Sequence, residues 1–291
     1  MMRLAWDEEA MTSLSASLER GGPNVDGLQA EHLERALYGA AREFLARPGK
    51  AFRARLIEAC FRLVSRSDES VPSAALEAIE LLHGGSLIVD DIQDDADVRR
   101  GAPALHRAIG APRALNTGNW LYFVALSRLD ELPLGDESAR ELTRAAHQCL
   151  RRCHEGQSLD LWLRAGEVRR AEFASLVHVV SLLKTGALTG FAARLGATLA
   201  HASTHQLALL TRFGQHVGVA LQMLDDLGSF VCESRYHKAL EDLRQQRMSW
   251  VWSWASEVLD EVRYKHFLRQ LSREPEWGAL RAGLAETTER L

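Results

Sequence analysis

Five aspartates lie close together directly after an apolar run, and their spacing indicates what chemistry they can support. The segment that begins at Asp90 reads D-D-I-Q-D-D-A-D-V-R-R. If the apolar run is helical, Asp90 and Asp94 are four residues apart and project from one face, with Asp91 beside them. Such carboxylates repel one another unless they are solvated at a helix end or bind a hard cation such as Mg²⁺, which shares its oxygen ligands with substrate phosphates. The spacing alone is compatible with either arrangement.

A second pair of aspartates, Asp225 and Asp226, follows another apolar segment. Residues 218–229 read G-V-A-L-Q-M-L-D-D-L-G-S and are apolar on every face of a helix, which is typical of a buried helix. Two carboxylates at the end of a buried helix are costly unless they are solvated in a cavity or bound to a cation. We expect the two acidic segments to face each other across one cavity and to surround a polyanion bridged by divalent metal.

A diphosphate also requires cationic groups, and several lie near predicted loops and helix ends. Lysine is scarce in this arginine-rich chain, so each lysine is a stronger candidate than usual, although a solvated surface position explains any one of them equally well. The candidate cations are Lys50, Arg53, Arg99, Arg100, Lys184, Lys238 and Arg247.

The elements that must position these residues are predicted to be helices. Good helix formers dominate the chain, prolines number only 7, and alternating β-branched runs are missing. We therefore predict an all-α fold, a bundle of ten or more helices around a central cavity, in a single domain over residues 1–291. The main predicted helices are residues 7–20, 28–46, 52–64, 73–94, 136–165, 171–186, 188–200, 204–226, 237–247 and 249–270, and residues 101–112 are predicted to be a loop.

Charge and cysteine content narrow the class of protein. The net charge of −4 gives no general basic field, so we expect no nucleic-acid partner. Four cysteines without a second pair for a zinc site are typical of thiols in a reducing cytosol. We see no signal peptide and no run of about 18 apolar residues, and therefore expect a cytoplasmic protein without a membrane span.

Further short motifs occur in a fixed order along residues 48–250. They are P-G-K-A-F-R from Pro48, D-D-I-Q-D from Asp90, R-R-G-x-P-x-x-H from Arg99, G-Q-x-x-D-L from Gly156, K-T-G from Lys184, Q-x-x-D-D from Gln222 and the segment from Lys238 to Ser249. In this order they resemble the trans-isoprenyl diphosphate synthases, the family that includes farnesyl and geranylgeranyl diphosphate synthases. Within this family, the motifs most resemble those of the geranylgeranyl diphosphate synthases.

The resemblance implies the isoprenoid synthase fold, a homodimer, and condensation of isopentenyl diphosphate with an allylic prenyl diphosphate. It also implies a role for each candidate residue. Asp90, Asp94 and Asp225 would hold Mg²⁺, with three ions around the bound diphosphate, and Asp91 would act with them. The allylic diphosphate would be bound by Arg99, Lys184 and Lys238, and isopentenyl diphosphate by Lys50, Arg53, His83 and Arg100. Thr185 and Gln222 would face the carbocation. Substrate binding would also involve Asp226 and Arg247.

Three positions depart from the family pattern and leave alternatives open. Ala54 replaces a proline, Ser229 replaces an aspartate, and Arg247 replaces a lysine. A class I terpene cyclase on the same fold and a non-catalytic partner subunit of a synthase are the alternatives. Gly85 and Ser86 lie one turn before the aspartates, and we expect their small side chains to leave space for a product longer than farnesyl, such as a C20 chain.

Overall fold

Helices form almost all of the regular structure in the described part of the chain. The structure, a computed structural model, describes residues 27–65, 69–231, 242 and 245–272. The α-helices are α1 (Gly27–Leu33), α2 (Gly39–Ala46), α3 (Phe52–Val64), α4 (Ser73–Gln93), α5 (Leu105–Ile109), α6 (Ala111–Asp130), α7 (Asp136–Trp162), α8 (Phe173–Ser181), α9 (Ala187–Leu199), α10 (Thr204–Val231), α11 (Trp250–Val258) and α12 (Glu261–Ser272). This confirms the all-α prediction.

Short elements connect the helices. Two π-helical turns, Glu34–Tyr38 and Leu182–Gly186, adjoin α2 and α9, and the 3₁₀ turns Ala165–Glu167 and Arg170–Glu172 precede α8. The strands β1 (Val98–Arg99) and β2 (Ala102–Pro103) form an antiparallel hairpin in which Arg99 is opposite Ala102. The predicted loop over residues 101–112 is therefore wrong in part, because it contains a strand, α5 and the start of α6.

The chain divides into two compact units, Met1–Ala146 with Ala192–Leu210, and His147–Phe191 with Thr211–Leu291. We call them unit 1 and unit 2. The single domain over residues 1–291 stays a prediction.

Unit 1 is built on the close packing of α4 against α6. A Cβ atom on Gly85 would lie 2.7 Å from the Gly118 carbonyl oxygen and 3.1 Å from the Tyr122 ring, so glycine is needed for the two helices to approach. The interface also buries an ion pair in which Arg128 donates to Glu77 across the two helices. The small side chain of Gly85 therefore serves helix packing, and the expectation that it leaves space for product is wrong.

Unit 2 has its own core around α8 and α11. Trp252 is 2 % exposed and stacks on Phe173, with ring centroids 6.3 Å apart, and Tyr264 meets the same phenylalanine edge-on. The indole N–H of Trp250 donates to Ser181 Oγ at 2.9 Å, which satisfies the polar atom of a buried aromatic side chain. Several large aromatic side chains thus fix α11 against α8.

Within the described residues, one segment is long and apolar enough to cross a membrane. It is Arg170–Leu199, with a mean hydropathy of 1.4, and 61 % of its most apolar stretch is buried inside the protein. Core helices pass the same test of length and composition, so this segment is weak evidence of a span.

Candidate active site

The first acidic motif lies at the C-terminal end of α4. Asp91 is fully buried and Asp90 is half-buried, and the half-buried Asp94 caps the helix, donating its backbone N–H to the Asp90 carbonyl at 2.9 Å. The last turn of α4 contains no basic residue. Carboxylates at the negative end of a helix dipole are unfavourable unless a cation compensates them.

Arg99, on strand β1, supplies part of that compensation. Its Nε donates to Asp91 Oδ1 at 2.6 Å, its Nη2 donates to the same oxygen, and its Nη2 lies 3.9 Å from Asp90 Oδ2. The other oxygen of Asp91, Oδ2, is buried without a hydrogen-bond partner in the described part of the chain. Burial raises the pKa of Asp91, and the hydrogen bond from Arg99 opposes this shift.

The hairpin that carries Arg99 is held against the loop between α2 and α3. Arg47 is 8 % exposed and donates Nη1 to the carbonyl oxygens of Arg99 and Pro103, at 3.3 and 2.9 Å. The Arg100 guanidinium lies over the Phe44 ring, 5.8 Å from its centroid, and 3.3 Å from the position that a Cβ atom on Gly49 would occupy. The G-K segment and the R-R segment, predicted separately, are therefore neighbours.

Cations from α3 and the hairpin lie around His83, which is on α4 two turns before the aspartates. His83 has a pKa well below its ordinary value because it is buried among the cations Arg53, Arg100 and Arg99. Arg53 is half-buried, whereas Lys50 is exposed. We name Lys50, Arg53, His83 and Arg100 the cationic cluster. A neutral imidazole among several cations is a suitable neighbour for an anion, because it can donate a hydrogen bond without adding charge.

In unit 2, the K-T-G motif lies in the π-helical turn Leu182–Gly186. Lys184 Nζ is 2.7 Å from Asp160 Oδ2, and Arg247 Nη1 is 3.6 Å from the same oxygen. Gly156, one turn before that aspartate on α7, permits this arrangement, because a Cβ atom there would lie 2.5 Å from the backbone nitrogen of Lys184. A π-helical turn often marks a functional site.

The second acidic motif is tied into a chain of hydrogen bonds. Thr185 donates to Gln222 Oε1 at 2.9 Å, and Gln222 Nε2 donates to Asp226 Oδ1 at 2.8 Å. The other oxygen of Asp226 accepts the backbone N–H of Trp250, the first residue of α11, at 2.9 Å. Asp226 thus stabilises a helix N-terminus, while Asp225 beside it is half-buried.

Ser229 lies at the position where the family resemblance leads us to expect an aspartate. It is 2 % exposed, and its hydroxyl donates to the Asp225 carbonyl oxygen at 3.1 Å. A hydroxyl satisfied by its own helix is inexpensive to bury, whereas a carboxylate at this depth would need a cation. The serine is therefore compatible with its surroundings without any metal contact.

Sequence reasoning overlooked two acidic residues that organise these groups. Asp160 contacts both Lys184 and Arg247, and Glu80 lies in the electrostatic field of Arg53 and Arg100. Asp160 belongs to the G-Q-x-x-D-L motif, so its position was visible, but its partners are remote in sequence. Lys238 lies outside the described residues, and nothing is placed for it.

The fit to a metal rests on donor chemistry. Within the described ranges, no three His, Cys, Asp or Glu side chains are assembled into a ready metal site. The available donors are carboxylate oxygens, the ligands that Mg²⁺ prefers, and Asp91 Oδ2 is a buried oxygen with unused acceptor capacity. These residues fit a hard cation that arrives together with an anionic substrate.

Comparison with known proteins agrees with this chemistry. Residues 34–278 match the family model of the polyprenyl synthetases. Over 243 residues the chain is 29 % identical to the short chain isoprenyl diphosphate synthase of Methanocaldococcus jannaschii, covering 82 % of this chain and 72 % of the relative. Over 209 residues it is 32 % identical to the geranylgeranyl pyrophosphate synthase of Eremothecium gossypii, covering 70 % of this chain and 63 % of the relative.

Solved structures share the fold. The polyprenyl synthase from Caulobacter crescentus, complexed with calcium and isoprenyl diphosphate, aligns with a TM-score of 0.73 at 21 % identity and covers 96 % of this chain and 82 % of its own. The fold and the two acidic motifs define an all-α protein of the isoprenyl synthase type. The chain belongs to the polyprenyl synthetase family.

Proposed function

We propose that this protein is a Mg²⁺-dependent isoprenyl diphosphate synthase that condenses isopentenyl diphosphate with an allylic prenyl diphosphate. The product would be a longer all-trans prenyl diphosphate, C20 by analogy with relatives named as geranylgeranyl synthases. The observation that carries the proposal is that unit 1 contains both an acidic motif, at the C-terminal end of α4, and a cationic cluster around His83, two turns earlier on the same helix. The first suits a metal-bound diphosphate, and the second suits a diphosphate bound directly by protein cations.

The carboxylates of Asp90, Asp94 and Asp225 are proposed to hold the Mg²⁺ ions. That both acidic motifs serve one diphosphate, with three ions, is part of the proposal and comes from the family resemblance. When bound, Mg²⁺ supplies Lewis acidity that neutralises the charge of the departing diphosphate. Arg99 and Lys184 offer fixed positive charge to the same leaving group, so charge developing in the transition state meets donors already in place. Lys238 retains its proposed role here.

The reaction breaks one bond and forms another. The C1–O bond of the allylic substrate breaks, diphosphate leaves with the electron pair, and the double bond of isopentenyl diphosphate attacks the allylic cation. A proton is then lost, and the released diphosphate is the proposed acceptor. The neutral groups of Thr185 and Gln222, already hydrogen-bonded to each other, would face the cation without quenching it.

The cationic cluster would hold isopentenyl diphosphate. Lys50, Arg53 and Arg100 match the charge of a diphosphate, and His83 stays neutral among them. A terpene cyclase ionises a single diphosphate and has no use for this cluster, so the cluster favours the synthase. We also propose a homodimer, which the family resemblance implies, and the cytoplasmic location that the cysteine content predicts.

The test is incubation with Mg²⁺ and dimethylallyl, geranyl or farnesyl diphosphate, with and without isopentenyl diphosphate, followed by product analysis. We expect elongated diphosphates only when both substrates and Mg²⁺ are present. Asp90→Ala and Asp225→Ala should each abolish turnover. Hydrocarbons or alcohols formed from the allylic substrate alone would replace the synthase by a cyclase, and an inactive wild-type protein would favour the partner subunit.

A further inference from the structure

Glu80 is an acidic residue that the proposed mechanism does not use. It lies on α4 one turn before His83, and at 100° per residue it shares a face with His83 and Asp91. Its carboxylate oxygen Oε1 is buried and has no hydrogen-bond partner in the described ranges. A buried, unsatisfied carboxylate oxygen is costly unless nearby charge compensates it.

Glu80 also replaces a missing helix cap. The residue before α3, Ala51, has a φ of 43° and no side-chain cap hydrogen bond. The Glu80 carboxylate accepts the backbone N–H of Ala54, the third residue of α3. A carboxylate near a helix N-terminus satisfies an unpaired donor and is favoured by the helix dipole. Glu80 therefore fixes the first turn of the helix that carries Arg53.

The charge of Glu80 acts on both arginines of the cationic cluster. Burial raises the pKa of the Glu80 carboxyl, and the charges of Arg53 and Arg100 oppose that rise. Burial lowers the pKa of Arg100, and Glu80 is the foremost carboxylate that opposes this lowering. Arg100 lies in the hairpin and Arg53 lies on α3, so the charge of Glu80 acts on residues from two separate segments. Arg53 and Arg100 carry the same charge, and the negative charge of Glu80 partly compensates both.

We propose that Glu80 is a positioning residue for the second diphosphate: it anchors the first turn of α3 and orients Arg53 and Arg100 toward isopentenyl diphosphate. This inference rests on the proposed function and deepens it. Glu80 contacts no substrate in this account and acts only through the two arginines.

Glu80→Gln is the informative variant, because the amide oxygen still accepts the N–H of Ala54 while the charge is lost. The matched control is Glu137→Gln, which removes one charge from an exposed residue in the first turn of α7. We expect Glu80→Gln to raise KM for isopentenyl diphosphate about tenfold, the effect of one charge-assisted hydrogen bond. The KM for the allylic substrate and kcat should stay within about twofold, and Glu137→Gln should behave as wild type.

A binding measurement separates this inference from the proposed function. We expect calorimetry with inorganic diphosphate in EDTA, where the carboxylates hold no metal, to show binding to wild type that Glu80→Gln weakens about tenfold. If wild type binds diphosphate, Glu80→Gln binds it more weakly and wild type does not elongate, the proposed function fails and the role of Glu80 stands. An unchanged or lower KM for isopentenyl diphosphate, or equal increases for both substrates, would overturn the role of Glu80 and leave the synthase intact.

Discussion

Replacing Asp160 by asparagine tests whether one carboxylate holds two cations of unit 2 in place. Asp160 Oδ2 lies 2.7 Å from Lys184 Nζ and 3.6 Å from Arg247 Nη1. The side chains of the aspartate, lysine and arginine are 11 %, 28 % and 12 % exposed. Asparagine has nearly the same shape and keeps one acceptor for the lysine, so the variant removes charge with little change of packing.

The expected cost follows from the burial of these groups. Removing one partner of a buried ion pair costs about 3–5 kcal/mol, because the other charge stays buried. The acceptor retained by asparagine places the expected loss at the lower end, about 3 kcal/mol. At about 2–4 °C per kcal/mol for a domain of this size, the melting temperature should fall by about 6–12 °C.

The measurement is thermal and urea denaturation of wild type, Asp160→Asn and a control, Asp130→Asn. Asp130 is the exposed last residue of α6, and its replacement should change stability by less than about 0.5 kcal/mol. Added inorganic diphosphate should stabilise Asp160→Asn more than wild type, because it supplies the missing negative charge to Lys184 and Arg247. A melting temperature equal to that of wild type, or equal stabilisation of both proteins by diphosphate, would refute this reasoning.

Three further predictions concern packing, capping and pH. Gly85→Ala should lower stability by about 1–3 kcal/mol, because its Cβ would lie 2.7 Å from the Gly118 carbonyl oxygen; thermal denaturation measures this, and an unchanged melting temperature would contradict it. Asp226→Ala should cost about 1–2 kcal/mol in urea denaturation, since the N–H of Trp250 loses its acceptor; no loss would show that water replaces it. The pKa of His83 is depressed in the folded protein, so its stabilising contribution is complete above its ordinary pKa and is lost as the pH falls below that value, by about 1.4 kcal/mol per unit. Wild type should therefore lose more stability between pH 7.5 and 5.5 than His83→Gln, and parallel curves would show that the imidazole protonates freely.

The sequence predicted the helices well because their determinants are local. The bounds of α3 match the expected residues 52–64, and α4 ends within one residue of its predicted end. Apolar periodicity together with local terminating residues, Pro48-Gly49 before α3 and the aspartates at the end of α4, suffices for such elements. Residues 249–270, predicted as one helix, form α11 and α12, because the chain becomes extended at Leu259.

The part of the candidate site on one helix could also be predicted from the sequence, because the spacing of Asp90, Asp91 and Asp94 fixes the face they share. Contacts between segments that are remote in sequence could not be predicted. Asp160 lies 24 residues from Lys184, and no periodicity relates them. The prediction for Gly85 was wrong for the same reason. A glycine leaves space for a ligand only if no other helix occupies that space, and here α6 occupies it.

The most direct test of the central claim is the stoichiometry of diphosphate release. With Mg²⁺, an allylic diphosphate and isopentenyl diphosphate together, we expect one inorganic diphosphate released for each isopentenyl diphosphate consumed, and none on the same time scale when isopentenyl diphosphate is omitted. Release of diphosphate from the allylic substrate alone at the full rate would contradict the account, because the cationic cluster would then have no second substrate to bind.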